Sequence, residues 1–269
     1  MNNPSTDREQ ARKQAVVRHD IDSSIFQGRY LTFDKGRFTN EFIYGRYQIF
    51  EEVTEDLEQL PAGCSILDLG CGTGHFSDYM QKKGFNVTGI DPSEGMLEFA
   101  RKNFPTVNFQ KGYSTSLPFP DNSFDYLLCI EVLRYLHPDD VALSYKEIFR
   151  VLKPGGNFLV THVNTFATEG YYLFYHFDRF INNTLRGKDY HTGYFTDSAR
   201  EERIVKATGF TNIKITGRMF ASVRIGYKFG KFAGSTWAKM LELINRKQRF
   251  TKGLSRELAG HLIVRGTKP

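Results

Sequence analysis

The strongest constraint on this chain is the regular alternation of short apolar runs with helix-patterned segments between Cys64 and His162. Cys64–Leu69 reads as a buried strand and Phe76–Lys83 as a helix closed by Gly84. Phe85–Ile90 is a second strand, after which Ser93 can cap a helix running through Asn103. Val107–Gln110 and Asp125–Ile130 read as strands three and four. A helix over Asp140–Leu152 leads into the turn Lys153-Pro154-Gly155-Gly156 and a fifth strand, Asn157–His162. Alternation of this kind predicts an α/β, doubly wound Rossmann-like sheet with mostly parallel strands. In such sheets ligands sit beyond the carboxyl ends of the strands, so the loops after each strand are where function is sought.

The pattern changes on both flanks. Ile43, Tyr47, Phe50, Val53, Leu57 and Leu60 fall at helical spacing before Pro61 ends the run. Residues 165–195 hold ten aromatic side chains, too many for a mere connector. Ser198-Ala199-Arg200-Glu201 resembles a capping box that opens a helix ending at Gly209. Thr211–Thr216 is a sixth strand, and Leu262–Val264 lies in a final one. The insertion between them, residues 219–258, is basic and aromatic, with Trp237, Met240, Leu241 and Ile244 in an amphipathic stripe that reads as core packing.

Composition narrows the class. With 40% hydrophobic and 25% charged residues the chain is an ordinary globular one, neither disordered nor collagen-like. No run approaches the roughly 18 apolar residues of a membrane span. The opening MNNPSTDREQARKQ lacks the apolar segment of a secretory signal, and Cys64, Cys71 and Cys129 match no zinc spacing. A reduced, cytoplasmic protein without a metal is the expectation. The net charge of +6 is concentrated: between Lys214 and Arg256 eleven Lys or Arg face one acid, Glu242. Such a segment attracts phosphates, anionic lipid surfaces or a charged substrate, unless it is simply the solvated face of a basic protein.

The first strand runs into Ile66-Leu67-Asp68-Leu69-Gly70-Cys71-Gly72-Thr73-Gly74-His75-Phe76. Glycines at that point let the backbone turn sharply and let a ligand approach the main chain. A nicotinamide-cofactor fingerprint needs a third glycine three residues after Gly72, and His75 stands there. The second strand ends in Asp91, twenty-one residues after Gly70, where a carboxylate can accept both ribose hydroxyls of an adenosine.

The runs ILDLGCGTGHF, VTGIDPSEGMLEFAR, LPFPDNSFD, IEVLRYL and EIFRVLKPGG, in that order, resemble the class I S-adenosylmethionine-dependent methyltransferases. The nearest branch is the small-molecule one that includes ubiquinone- and menaquinone-type enzymes, and the resemblance covers residues 55–165. It implies S-adenosylmethionine as cofactor, S-adenosylhomocysteine as product, and seven strands of which the last is antiparallel. By it Gly70, Cys71, Gly72 and Gly74 would line the methionine part, with Asp68 supporting the loop. Asp91 would bind the ribose, Pro92 and Met96 would flank the adenine, Tyr113 and Ser114 would face its edge, and Ile130 and Glu131 would lie beneath the cofactor. Three departures stand out. Gly112-Tyr113-Ser114 lacks the acid usual after that glycine, Arg134-Tyr135-Leu136 replaces the usual E-H-L, and the long insertion at 219–258 replaces a short hairpin.

The division this implies is an N-terminal helical lid at 1–55, a cofactor-binding core at 56–164, an aromatic lid insertion at 165–195, and a C-terminal part of the core at 196–269. A sulfonium already activates its methyl group, so an in-line displacement mainly needs positioning and a dry pocket. An oxygen or carbon nucleophile also needs a base. His137, after strand four, and His162, ending strand five, are the candidates; His176 and His191 lie in the aromatic insertion. The chain lacks the Asn/Asp-Pro-Pro-aromatic sequence of nucleobase amino-methyltransferases and the Pro-Cys nucleophile of the pyrimidine C5 type. Tyr171, Tyr172 and Tyr175 offer apolar walls, while Arg218, Arg224, Lys228 and Lys231 add positive charge. Together they favour a small, amphipathic or anionic acceptor: an aromatic acid, a quinone precursor, or a phosphate-bearing lipid or sugar. Peripheral membrane contact through the basic insertion fits the same charge. The alternatives are an RNA-modifying enzyme, whose basic insertion would track phosphates, and a non-catalytic S-adenosylmethionine-binding protein.

Overall fold

A computed structural model describes residues 33–168, 171–185, 193–219, 223–247 and 254–269, together with positions 9, 13, 16, 17, 19, 20, 25 and 28. Seven strands form one sheet: β1 (Ser65–Leu69), β2 (Asn86–Asp91), β3 (Asn108–Lys111), β4 (Phe124–Cys129), β5 (Leu152–Val163), β6 (Thr211–Arg218) and β7 (His261–Thr267). Their order is β3-β2-β1-β4-β5-β7-β6, with β7 antiparallel to both its neighbours, as the resemblance implies. The chain winds outward from β1 to β3, then returns to start β4 against the other side of β1. The loops after β1 and β4 therefore diverge, and a cleft opens between them.

The helices are α1 (Glu41–Leu57), α2 (His75–Lys82), α3 (Glu94–Asn103), α4 (Pro138–Val151), α5 (Tyr171–Leu185), α6 (Ser198–Thr208), α7 (Arg224–Lys228), α8 (Lys231–Lys247) and α9 (Leu254–Leu258). Alternate strand residues point to opposite faces, which gives two apolar layers. Leu67, Leu127 and Phe158 meet Tyr145 and Ile148 of α4 on one face. Ile66, Tyr126, Leu128 and Leu159 meet Ile49, Val53 and Leu57 of α1 on the other, together with Met80 and Leu97. The α1 residues recur every four positions, the stripe a helix needs to cover a sheet. Among the described residues no helix is long and apolar enough to cross a membrane.

Charge also ties α1 to the sheet. Glu52 accepts from Arg218 Nε at 2.6 Å and from Arg265 at 2.8 Å, and Arg265 Nε donates to Asp56 at 2.9 Å. Burial alone would raise the Glu52 carboxyl, but the two guanidinium groups hold it below its ordinary value. Arg218, expected to hold an anionic acceptor, is thus buried and committed to Glu52.

Three local expectations shift. The cap of α6 is Asp197, whose Oδ1 accepts from the Arg200 N–H at 2.8 Å; Ser198 instead donates to Glu257, and Glu201 turns inward. The fifth strand begins at Leu152, before the expected turn: the register on β4 passes from Leu152 opposite Phe124 to Asn157 opposite Tyr126, so Lys153–Gly156 bulges out of that ladder. In α8 the inward stripe is Ala238 and Leu241, packed with Tyr44 of α1 and Val223, while Trp237 is partly buried against them and Met240 points outward. The side chain of Ile244 lies outside the described residues.

Candidate active site

The cleft holds a cavity of about 1220 Å³, counted out to its open mouth, beyond the carboxyl ends of β1, β2 and β4. Its floor is the loop after β1. The N–H groups of Gly70 and Cys71 both donate to the Ile90 carbonyl, at 2.7 and 3.1 Å, so β2 holds the loop as it turns. Gly70 has φ +74°, and a Cβ there would stand 2.1 Å from Val132 Cγ2. No other residue fits. Gly72, at φ +52°, lines the cavity with nothing within 4 Å of where its Cβ would be, so the main chain itself is offered to a ligand.

Two buried acids lie under this loop. Asp91 Oδ2 accepts from the Gly72 N–H at 3.0 Å and Oδ1 from the Ser93 N–H at 2.9 Å, which leaves each oxygen a further lone pair toward the cavity. Burial raises the Asp91 carboxyl above its ordinary value despite those two bonds. Asp68 is held by the Ser77 hydroxyl; burial pushes it up to about 7 against that bond, and the like charge of Asp91 adds to the rise. Burial and both acids raise the Cys71 thiol well above its usual range, so it lines the cavity as a neutral group rather than a nucleophile.

A third acid closes the opposite wall. Glu131, just after β4, sits at φ +60°, a strained backbone for a residue with a side chain, and its N–H is held by Thr161 Oγ1 at 2.9 Å. Its Oε1 lies 3.3 Å from Nε2 of His261 on β7, and Oε2 accepts from Arg134 at 3.0 Å. Burial would raise this carboxyl, but the charge and hydrogen bond of His261, with Arg134 and Arg46, hold it well below the usual carboxylate range. Arg46, from α1, lines the cavity with its guanidinium 5.1 Å from the Phe42 ring. The site thus has an acidic floor and one cationic wall.

Of the residues singled out in the sequence, Asp68, Gly70, Cys71, Gly72, Asp91, Pro92, Met96, Tyr113, Ser114, Ile130 and Glu131 all line this cavity. Gly74 does not: it caps α2 at φ +81°, where a Cβ would meet Phe109, Ala100 and Phe104, so it serves helix packing. Neither candidate base lies on the cavity. His162 is buried behind it, 3.0 Å from both the Tyr145 hydroxyl and Glu201 Oε2. His137 caps α4, its Nδ1 accepting from the Asp139 N–H at 3.3 Å. Tyr175 is buried, its hydroxyl accepting from the Gly193 N–H, and Tyr172 packs on His176 and Phe195; neither reaches the cavity. The side chain of Tyr171, and His191, lie outside the described residues.

Sequence reading missed Arg46, Tyr135, Val16 and His19, which also line the cavity. His19 meets Tyr135 edge-on at 4.7 Å, and its neighbour Asp20 accepts from the Ser93 hydroxyl and, at 3.2 Å, from the Gly95 N–H at the start of α3. Val16 and His19, which precede α1, thus stand on the cavity wall, with Asp20 bonded to the start of α3. Tyr135 stands in the IEVLRYL run, where the resemblance has a histidine, whereas no local periodicity or motif marks Arg46, Val16 or His19 as site residues. Among the described residues no group of His, Cys, Asp and Glu side chains could hold a metal.

Residues 67–160, from β1 through most of β5, match a family described as a methyltransferase domain. The chain is similar to YcgJ, an uncharacterized methyltransferase of Bacillus subtilis, at 38% identity over 46% of this chain and 48% of that one. It is similar to a demethylmenaquinone methyltransferase of Staphylococcus saprophyticus at 29% identity over 81% of this chain and 98% of that one. The chain spans about half the length of the relatives it matches at the higher identities. A solved SAM-dependent methyltransferase of Thermotoga maritima, described as a possible histamine N-methyltransferase, superposes with a TM-score of 0.60 at 21% identity, over 93% of this chain and 98% of that one, a likeness of fold. The match falls on the very strands whose ends frame the cavity: over residues 67–160 the chain is similar to methyltransferase domains, and its fold is like that of solved SAM-dependent methyltransferases.

Proposed function

We propose that this protein transfers the methyl group of S-adenosylmethionine to a small amphipathic or anionic acceptor by in-line displacement. The observation that carries the reading is the cavity itself: the exposed main chain of Gly72 and the buried Asp91 carboxylate meet at one end, Glu131 and Arg46 at the other. The chemistry of the donors fits the cofactor. Asp91 and Glu131 put acidic groups around the place a sulfonium would occupy, and the open space over Gly72 leaves room for main-chain contact. Asp91 would hold the ribose hydroxyls, Pro92 and Met96 the faces of the adenine, and Ile130 and Glu131 the underside. Ser114 shares its hydroxyl with Ser144 at 2.9 Å, so Tyr113 is the freer of the two to meet the adenine edge.

When bound there, the cofactor supplies a methyl group that is already activated. The residues of the chain do the rest. The Gly70–Gly72 turn and Asp91 fix the position of the ligand, and Val16 and His19 on the wall help to keep water from it. Arg46 offers a guanidinium for a carboxylate or phosphate on the acceptor. With His137 and His162 off the cavity, the imidazole on its wall among the described residues is His19. The full-length likeness to a demethylmenaquinone methyltransferase supports a small-molecule acceptor with an apolar body.

Two measurements test the reading. Calorimetry with S-adenosylhomocysteine should show saturable binding, and methyl-labelled S-adenosylmethionine incubated with a cell extract should pass label to organic-soluble acids. Label found in RNA instead would move the acceptor to nucleic acid. Arg46→Gln should raise the KM for an anionic acceptor more than it alters cofactor affinity.

A further inference from the structure

The outer face of the long insertion is built unlike the rest of the surface. Phe229, in the turn joining α7 and α8, and Phe232, in the first turn of α8, are 80% and 87% exposed. Ile225 on α7 and Met240 and Leu243 on α8 are also exposed large apolar side chains. Lys228, Lys231 and Lys239 are exposed among them. The one acid in this stretch, Glu242, faces inward, accepting from Gln48 Nε2 at 2.7 Å and lying 3.3 Å from Arg37. What this hairpin shows to solvent is therefore apolar and positive, with no negative charge.

The inward face is already satisfied: Ala238 and Leu241 pack with Tyr44 and Val223, so the outer apolar side chains are not needed for folding. A second exposed stripe, Leu173, Phe177 and Phe180, recurs at i, i+4 and i+7 along α5. It leaves the sheet at the same end. β5 and β6 both run antiparallel to β7, hence parallel to one another, and α5 and α7 follow their carboxyl ends. That is also the end where the cavity opens.

We propose that the α7–α8 hairpin is a membrane-surface anchor, which inserts Phe229 and Phe232 at the level of the headgroups of an anionic bilayer while Lys228, Lys231 and Lys239 meet the lipid phosphates. Apolar side chains flanked by lysines on one face are the pattern of a segment that lies in the interface rather than spanning it. Single-stranded nucleic acid also takes aromatic and basic residues, but by stacking bases on rings. Ile225, Met240 and Leu243 have no flat face to offer a base, whereas acyl chains accept them.

Vesicle sedimentation tests the anchor without reference to methyl transfer, so its failure and that of the methyltransferase reading are separable. The full chain should sediment with vesicles of equal phosphatidylcholine and phosphatidylglycerol and stay free of pure phosphatidylcholine vesicles, with binding that falls as salt rises. Phe229→Ser combined with Phe232→Ser should lower the partition coefficient at least about ten-fold. Lys228→Gln, Lys231→Gln and Lys239→Gln together should abolish the preference for phosphatidylglycerol. Because all five side chains face solvent, both variants should melt as the parent does; calorimetry checks this. The proposal is overturned if the parent binds neither vesicle at low salt, if either folded variant binds as the parent does, or if bulk tRNA displaces the protein from vesicles in a lysine-dependent way.

Discussion

Asp91 Oδ2 accepts the main-chain N–H of Gly72 at 3.0 Å, so the acid that ends β2 is tied to the loop that ends β1. One carboxylate therefore shapes the loop and faces the cavity at once. Asp91→Ala should weaken S-adenosylhomocysteine binding by about 1–3 kcal/mol, the scale for a charge-assisted bond lost in a buried site. Unchanged affinity in calorimetry would remove Asp91 from the site. NADH should not bind, because His75 stands where a nicotinamide-cofactor loop requires glycine; saturable NADH binding would overturn the proposed methyltransferase reading.

Gly70 is the position where the loop has no alternative. Its φ of +74° and the 2.1 Å approach to Val132 mean that Gly70→Ala must displace either the turn or the residues after β4. Loss of cofactor binding together with a lower melting temperature is expected. Gly72→Ala meets the strain of a φ of +52° but no clash, so it should cost less stability than Gly70→Ala while still impairing binding, because the added methyl enters the cavity. Equal melting losses for the two variants would contradict this distinction.

Asp68 makes stability depend on pH in an unusual sense. An unfolded chain ionises this carboxyl near 3.8, whereas the folded protein holds the proton up to about 7. The native state thus binds more protons between those values, and its stability falls as pH rises from about 4 to about 7, by at most about 1.4 kcal/mol per pH unit. Asp68→Asn should flatten that part of the curve, read from denaturant midpoints across the range. Parallel curves for parent and variant would show that the acid ionises normally in the folded state.

His162 and Tyr175 are expected to act on stability. His162 is locked between Tyr145 and Glu201, and Tyr175 accepts the Gly193 N–H inside the aromatic insertion. Tyr175→Phe would leave that buried N–H without its acceptor, a loss of about 1–3 kcal/mol. Both Tyr175→Phe and His162→Gln should lower the melting temperature while S-adenosylhomocysteine affinity and the acceptor's KM stay close to the parent values. A rise in KM without a change in melting temperature would return either residue to the acceptor site.

What the sequence determined by itself was the succession of strands and helices through β5 and the residues that meet at the Gly72 and Asp91 end of the cavity. Each of those rests on short-range information: strand and helix periods, a glycine turn directly after β1, and an acid at the last position of β2. Chain direction alone then carries these groups to the same edge of a parallel sheet. The surroundings of Glu131 on the opposite wall were decided only by tertiary structure. His261 reaches Glu131 because β7 inserts between β5 and β6 and pairs Val163 with His261, a register no local pattern contains. Arg46 reaches the cavity because α1 covers the sheet, and Arg218 is withdrawn from solvent because Glu52 of the same helix meets it. His162 stands near the end of β5, as the sequence reading required, yet its side chain projects to the face where Tyr145 and Glu201 enclose it. A strand's two faces differ by a single residue of register, and which face meets the ligand is settled by what packs on the other.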